Sequence, residues 1–189
     1  MTRKFLPPLA SFVQAAQAKA APSEAETKAI AQIEKAGGRV LKIAQNDEHQ
    51  EVNFRLEGPS VTDANMAPLR DVTSLVHLNL GKTSVTDSGL AAIKGLTQLT
   101  ELHLEETKIT DKGLASLKDL KTLTYLNLYG TAITDAGFDH LKGLTNLRHL
   151  YIWQTKVTEA GVKTLKAALP NLEIVTGGES EAKTVGSDR

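Results

Sequence analysis

The sequence predicts a right-handed α/β solenoid, and three observations carry that expectation. A period of 24 residues begins at Leu75 and runs to Asn171. Within each period the apolar residues first alternate, as on a strand, and then recur three apart, as along one side of a short helix. A unit this short cannot bury its apolar edge alone, so neighbours must stack, and the stack becomes the folding entity.

The units are LVHLNLGKTSVTDSGLAAIKGLTQ at 75–98, LTELHLEETKITDKGLASLKDLKT at 99–122 and LTYLNLYGTAITDAGFDHLKGLTN at 123–146. LRHLYIWQTKVTEAGVKTLKAALPN at 147–171 is one residue longer. A step of 24 back from Leu75 predicts a worn copy at 51–74, with Phe54, Leu56, Val61, Thr62, Asp63, Met66, Leu69 and Val72 at the matching places. Leu172 opens an incomplete last turn, LEIV, before Gly177-Gly178. In Leu78-Asn79-Leu80 the two leucines point inward and the residue between them outward. Thr86, Thr110, Thr134 and Thr158 are placed to cap the short helices, and Asp87, Asp111, Asp135 and Glu159 put an anion at the positive end. Gly89, Gly113, Gly137 and Gly161 recur in register. Glycine within a helix costs about 1 kcal/mol relative to alanine, so the aligned copies imply close approach of adjacent coils. Lys94, Lys118, Lys142 and Lys166 form a solvated ridge.

Ahead of the repeats, Ser23 can cap a helix at 24–36, with Glu26 as its capping-box partner. Ala25, Ala29, Ile30, Ile33 and Ala36 give that helix one apolar side, and Gly37-Gly38 ends it. Arg39–Ile43 and Val52–Leu56 read as a strand pair around a polar turn. The expected organisation is a leader at 1–21, an N-terminal cap at 22–50, the solenoid at 51–178 and a mobile tail at 179–189. Basic residues near the start of the leader and a short apolar stretch resemble an export signal interrupted by Pro7 and Pro8, so either a cytoplasmic or an exported protein fits.

Composition narrows the function classes. With 22 Lys plus Arg against 22 Asp plus Glu, there is no basic excess for a nucleic acid or an anionic membrane surface. The apolar runs fall well short of the roughly 20 residues that span a bilayer. The chain has no cysteine, hence neither a disulfide framework nor a thiol nucleophile.

In the form LxxLxLxxTx(V/I)T(D/E)xG the chain resembles leucine-rich repeat proteins. The VTDxGL signature is similar to that of many bacterial repeat proteins and of the repeats attached to F-box proteins. The opening helix followed by AGGRV resembles small planctomycete-type repeat proteins. The resemblance implies one strand per turn in a parallel concave sheet, with a helix or helical turn on the convex side. Thr83, Thr107, Thr131 and Thr155 stand where the family commonly has Asn or Cys, which implies a thinner buried hydrogen-bond ladder.

Function then belongs to the outward side chains of the strands. Spacing of 24 predicts three columns: Asn53, His77, Glu101, Tyr125 and His149; Arg55, Asn79, His103, Asn127 and Tyr151; Glu57, Gly81, Glu105, Tyr129 and Trp153. Every tyrosine and the one tryptophan of the chain fall in these columns. Tyr125, Tyr129, His149, Tyr151 and Trp153 are expected to form one aromatic patch that binds a protein or peptide, with Asn127, His103, Glu101 and Glu105 supplying polar contacts. His77, Glu101 and His103 lie within metal-binding reach of one another but lack an evident fourth ligand, so neither a metal nor a cofactor is expected. No nucleophilic triad or phosphate loop is forced by spacing, and an open sheet excludes water poorly, so the expected role is not enzymatic. The alternatives are a structural module that self-associates weakly through its ends, and a polysaccharide-binding module.

Overall fold

The computed structural model describes residues 22–45 and 47–177. The leader and the tail named above lie outside the described residues. Seven strands form one sheet in chain order: β1 (Arg39–Lys42), β2 (Gln50–Asn53), β3 (Leu75–Asn79), β4 (Glu101–His103), β5 (Tyr125–Asn127), β6 (His149–Tyr151) and β7 (Glu173–Val175). β1 runs antiparallel to β2, and every later pair is parallel. The other side of the core carries α1 (Glu24–Lys35), α2 (Asp87–Leu90), α3 (Asp111–Leu114) and α4 (Glu159–Ala168), with 3₁₀ turns between. The fourth repeat, at 123–146, has only a 3₁₀ segment, Asp135–His140, where its neighbours begin α-helically. No helix among the described residues is long and apolar enough to cross a membrane.

The core is the aliphatic ladder that the period requires. Leu78, Leu102, Leu126 and Leu150 stack along one line, Leu80, Leu104, Leu128 and Ile152 along the next, and all are buried. Each residue of this kind contributes about 1.5–3 kcal/mol by leaving water. Backbone bonds run from coil to coil beside them, as in Leu80 N–H to His103 O and Leu104 N–H to Asn127 O.

The first repeat departs from the 24-residue step. β2 pairs with β3 so that Val52 faces Leu78 and Asn53 faces Asn79, an offset of 26. Val52 and Phe54 therefore fill the inward positions, while Leu56, expected in the core, is 76% exposed. The second strand of the cap ends at Asn53 rather than at Leu56. The extra residues lie in the turn around Gly58–Ser60, and the 24-residue step holds again from Val61 onward.

The start of the cap helix also differs from expectation. Ser23 Oγ accepts the Glu26 N–H at 3.1 Å, but the Glu26 side chain does not close a capping box. Its carboxylate accepts both the N–H and the hydroxyl of Ser74, tying α1 to the end of the first coil.

The aligned aspartates do more than face a helix end. Asp63, Asp87, Asp111 and Asp135 each accept two hydrogen bonds from the threonine of the next coil, one from its N–H and one from its hydroxyl. The N–H bonds are 2.7–2.8 Å and the hydroxyl bonds 2.5–2.6 Å. These donors hold the Asp135 carboxyl below the usual carboxylate range. Thr86, Thr134 and Thr158 also cap their own helices at 3.3 Å, whereas Thr110 makes no such bond. The same aspartates explain the glycines. A Cβ at Gly137 would lie 2.5 Å from Asp111 Oδ1, and Gly89 stands in the same relation to Asp63. The close approach is thus that of a side chain from the preceding coil. The buried threonines at 83, 107 and 131 each donate one bond to the carbonyl three residues back within their own coil.

Gly137→Ala should destabilise the protein by about 1–3 kcal/mol, because the crowding of Asp111 outweighs the roughly 1 kcal/mol that alanine gains in helix propensity. Urea denaturation checks this, and an unchanged or raised midpoint would contradict it.

Candidate concave surface

The sheet register rebuilds the outward columns. The first is Glu51, His77, Glu101, Tyr125, His149 and Glu173, and the second is Asn53, Asn79, His103, Asn127, Tyr151 and Val175. Asn53 leaves the first column and joins the second because of the two-residue insertion. Just past the strand ends, Arg55 moves beside Gly81 and reaches Glu105. Glu57 instead packs against Gly37, where a Cβ would meet the glutamate side chain at 2.5 Å.

The second column explains itself locally. Asn53, Asn79 and Asn127 each use Oδ1 to accept the N–H two residues on, at Arg55, Gly81 and Tyr129. Asn127 thus fixes the end of its strand, and its carbonyl oxygen is already engaged. The next turn position is left-handed in the four later coils, with Lys82 at φ 64°, Glu106 at 55°, Gly130 at 68° and Gln154 at 57°. Three of the four lack the freedom of glycine and hold strain of order 1 kcal/mol or more each.

The aromatic residues are on the predicted face, but their contacts divide into two groups. His103, Tyr125 and Tyr151 form a diagonal run with ring centroids 4.8 and 5.2 Å apart. Tyr129 and Trp153 form a separate tilted pair at 5.3 Å. The Trp153 indole also lies against Gly177, where any Cβ would collide with the ring. His149 joins neither group; its Nδ1 is 3.1 Å from Glu173 Oε2. Trp153 is 50% exposed and the three tyrosines are half-buried. Burial, then the Tyr151 hydroxyl and the charges of Glu105 and Glu101, raise the pKa of Tyr125 above that of an ordinary phenol.

The acidic flank is compensated within the protein. His77 Nε2 is 3.6 Å from Glu101 Oε1, and Lys82 Nζ is 3.5 Å from Glu106 Oε1. His77 and His103 therefore turn to different carboxylates. Glu105 is the buried member, at 4% exposure, lying over Gly81 in space that a side chain there would fill. Arg55 Nη1 donates to its Oε1 at 3.3 Å. His103 Nδ1 is 3.5 Å from Oε2, too far for a good hydrogen bond, so Oε2 has no hydrogen-bond partner. Burial pushes the Glu105 pKa up, but His103, the residue's own N–H and Arg55 together prevail and hold it below the usual carboxylate value.

Two family models described as leucine-rich repeats match the sequence, at residues 97–157 and 73–94. The chain is a leucine-rich repeat protein. Members of this family are typically non-catalytic, and in general serve as protein-interaction modules. No curated protein sequence matches the chain. Among solved structures, the ectodomain of the receptor kinase SOBIR1 from Arabidopsis thaliana is similar in fold, with 17% identity and a TM-score of 0.53 over 82% of this leucine-rich repeat chain and 92% of that one. An internalin C2 from Listeria monocytogenes aligns at 23% identity over 82% of this chain and 74% of that one, TM-score 0.46. A further Listeria monocytogenes internalin aligns at 22% over 58% of this chain, TM-score 0.42, and this chain spans 36% of its length.

Glu105 yields a prediction with a definite sign. Its folded pKa lies below its unfolded value, so its contribution to stability is present above the unfolded pKa and is lost as pH falls through the folded one. Denaturant midpoints between pH 7 and pH 3 should therefore fall further for the wild type than for Glu105→Gln. Parallel curves would show that Glu105 is not linked to folding.

Proposed function

We propose that this leucine-rich repeat protein binds a protein or peptide on its concave sheet, with Tyr129 and Trp153 as one anchor and the His103–Tyr125–Tyr151 run as the other. The observation that carries this reading is the division of the aromatic residues. Among the described residues the fully buried rings are Phe54 and Phe138, while every Tyr and Trp of the chain is on the concave face and partly exposed. Rings with a polar edge held half in water are suited to burial by a partner, because they cover much area at a modest loss of rotamer freedom. The surface is also preorganised: Asn127 pins the backbone at Tyr129, and Gly177 supports Trp153 from the side of the last strand. Binding would proceed with little rearrangement of the scaffold.

The polar groups set the character of the contact. Glu101, Glu105 and Glu106 already have cationic or histidine neighbours, so a partner meets hydrogen-bonding edges rather than a bare negative field. Affinity would come mainly from the rings, with His103, Glu101 and His149 fixing orientation.

Peptides selected by display against the wild-type protein provide the test. Trp153→Ala should weaken the selected peptides by about 2 kcal/mol, roughly thirtyfold, with the thermal transition preserved. Titration calorimetry reads the change. Peptides that bind Trp153→Ala and Tyr151→Ala as tightly as the wild type would place the contact elsewhere.

A further inference from the structure

We infer that the protein self-associates head to tail through the two free edges of its sheet, β7 of one copy pairing antiparallel with β1 of the next. Among the described residues, strands β2 to β6 each have a neighbour on both sides, whereas β1 and β7 have one. A free edge presents unpaired N–H and C=O groups that can template pairing with another chain. At the N-terminal end α1 covers the helical layer and turns Glu24, Lys28 and Glu34 to solvent. The sheet layer beside it is open, with Leu41 55% and Ile43 42% exposed. At the other end Ile174 and Val175 are half-buried on the last strand. A cavity of about 620 Å³ opens beside them, floored by Val157 and Val162 and flanked by Lys163 and Lys166. Each end thus combines a free strand with uncovered apolar surface.

The facing of the side chains sets the register. Val40 lies opposite Val52 and packs on the core, while Arg39 and Leu41 lie opposite Asn53 and Glu51 on the concave face. Ile174 lies opposite Leu150 in the core, while Glu173 and Val175 lie opposite His149 and Tyr151. An antiparallel junction that preserves both faces sets Val40 against Ile174, Arg39 against Val175 and Leu41 against Glu173. The aliphatic core then continues from one copy into the next. Arg39 comes diagonal to Glu173, a separation of about 7–8 Å that a long side chain bridges.

Charge selects this junction over the symmetric ones. Two β1 edges would bring both copies of Arg39 to one seam, Lys42 being paired with Glu48, and two β7 edges would gather both copies of Glu173. Only the mixed pairing brings opposite charges together. It uses two different surfaces, so it does not close on itself, and mass grows with concentration.

Sedimentation equilibrium of the full-length chain, from micromolar to millimolar, tests the proposal. Leu41→Glu places an acid opposite Glu173, and Val175→Arg a base opposite Arg39. The wild type should gain mass with concentration, and each variant alone should associate about tenfold more weakly or less. An equimolar mixture of the two variants should stop at a two-chain complex, because each supplies the edge the other lacks. Arg39→Glu, at an exposed position, probes the β1 edge again should Val175→Arg fail to fold. A wild type that stays at one chain mass throughout overturns the inference, as it would if the chain's own flanking segments filled the edges. A Val175→Arg protein that still dimerises as tightly as the wild type overturns the head-to-tail arrangement.

Discussion

The placement of one coil on the next depends above all on a carboxylate that reaches across. Asp63, Asp87, Asp111 and Asp135 each accept both polar hydrogens of the following threonine, and each comes to rest against the glycine that directly precedes an apolar residue of the next helical segment. The aliphatic core supplies most of the driving force, but leucine against leucine is indifferent to small slips along the stack. A bidentate contact of fixed length is not. The glycine is the corollary, since any larger residue would displace the oxygen from its donors. Aspartate, threonine and glycine therefore form one unit whose members cannot be exchanged singly.

Fixed spacing has its effect on the other side of the sheet. Because successive strands are held in register, outward residues of different coils meet as neighbours, and rings at 103, 125 and 151 come into contact although about two dozen residues separate each from the next. The asparagines at 53, 79 and 127 complete the arrangement by securing the chain where it leaves each strand. In the coil with His103 in that place, the residue two on is the buried Glu105, whose carboxylate is held partly by its own N–H and partly by Arg55. Loss of the asparagine in one coil thus coincides with a charged group entering the sheet face.

Much of this was legible in the amino-acid order. The period gave the solenoid, the inward leucines and the side of the sheet on which the tyrosines and Trp153 stand. It also suggested that the glycines answer a close contact, although not that aspartate makes it, because that contact joins residues 26 apart through a side-chain geometry that spacing does not encode. The first coil misled for a different reason. Counting back by 24 aligned Phe54 with Leu78, whereas the triplet Val52-Asn53-Phe54 matches Leu78-Asn79-Leu80 residue for residue, including the asparagine. Gly58-Pro59 marked where the extra residues lie. The division of the rings into two groups depends on side-chain rotamers, which no column of letters contains.

The insertion near Gly58 has a consequence beyond register. It allows Arg55 to reach the carboxylate of Glu105, which fills the side-chain-free strip at Gly81 and is contributed two coils away. An uninterrupted array offers contacts only between immediate neighbours, so any one coil can loosen without its second neighbour responding. Here the first coil is fastened past its neighbour to the third, and fraying at the entrance of the array is coupled to the middle of the concave face.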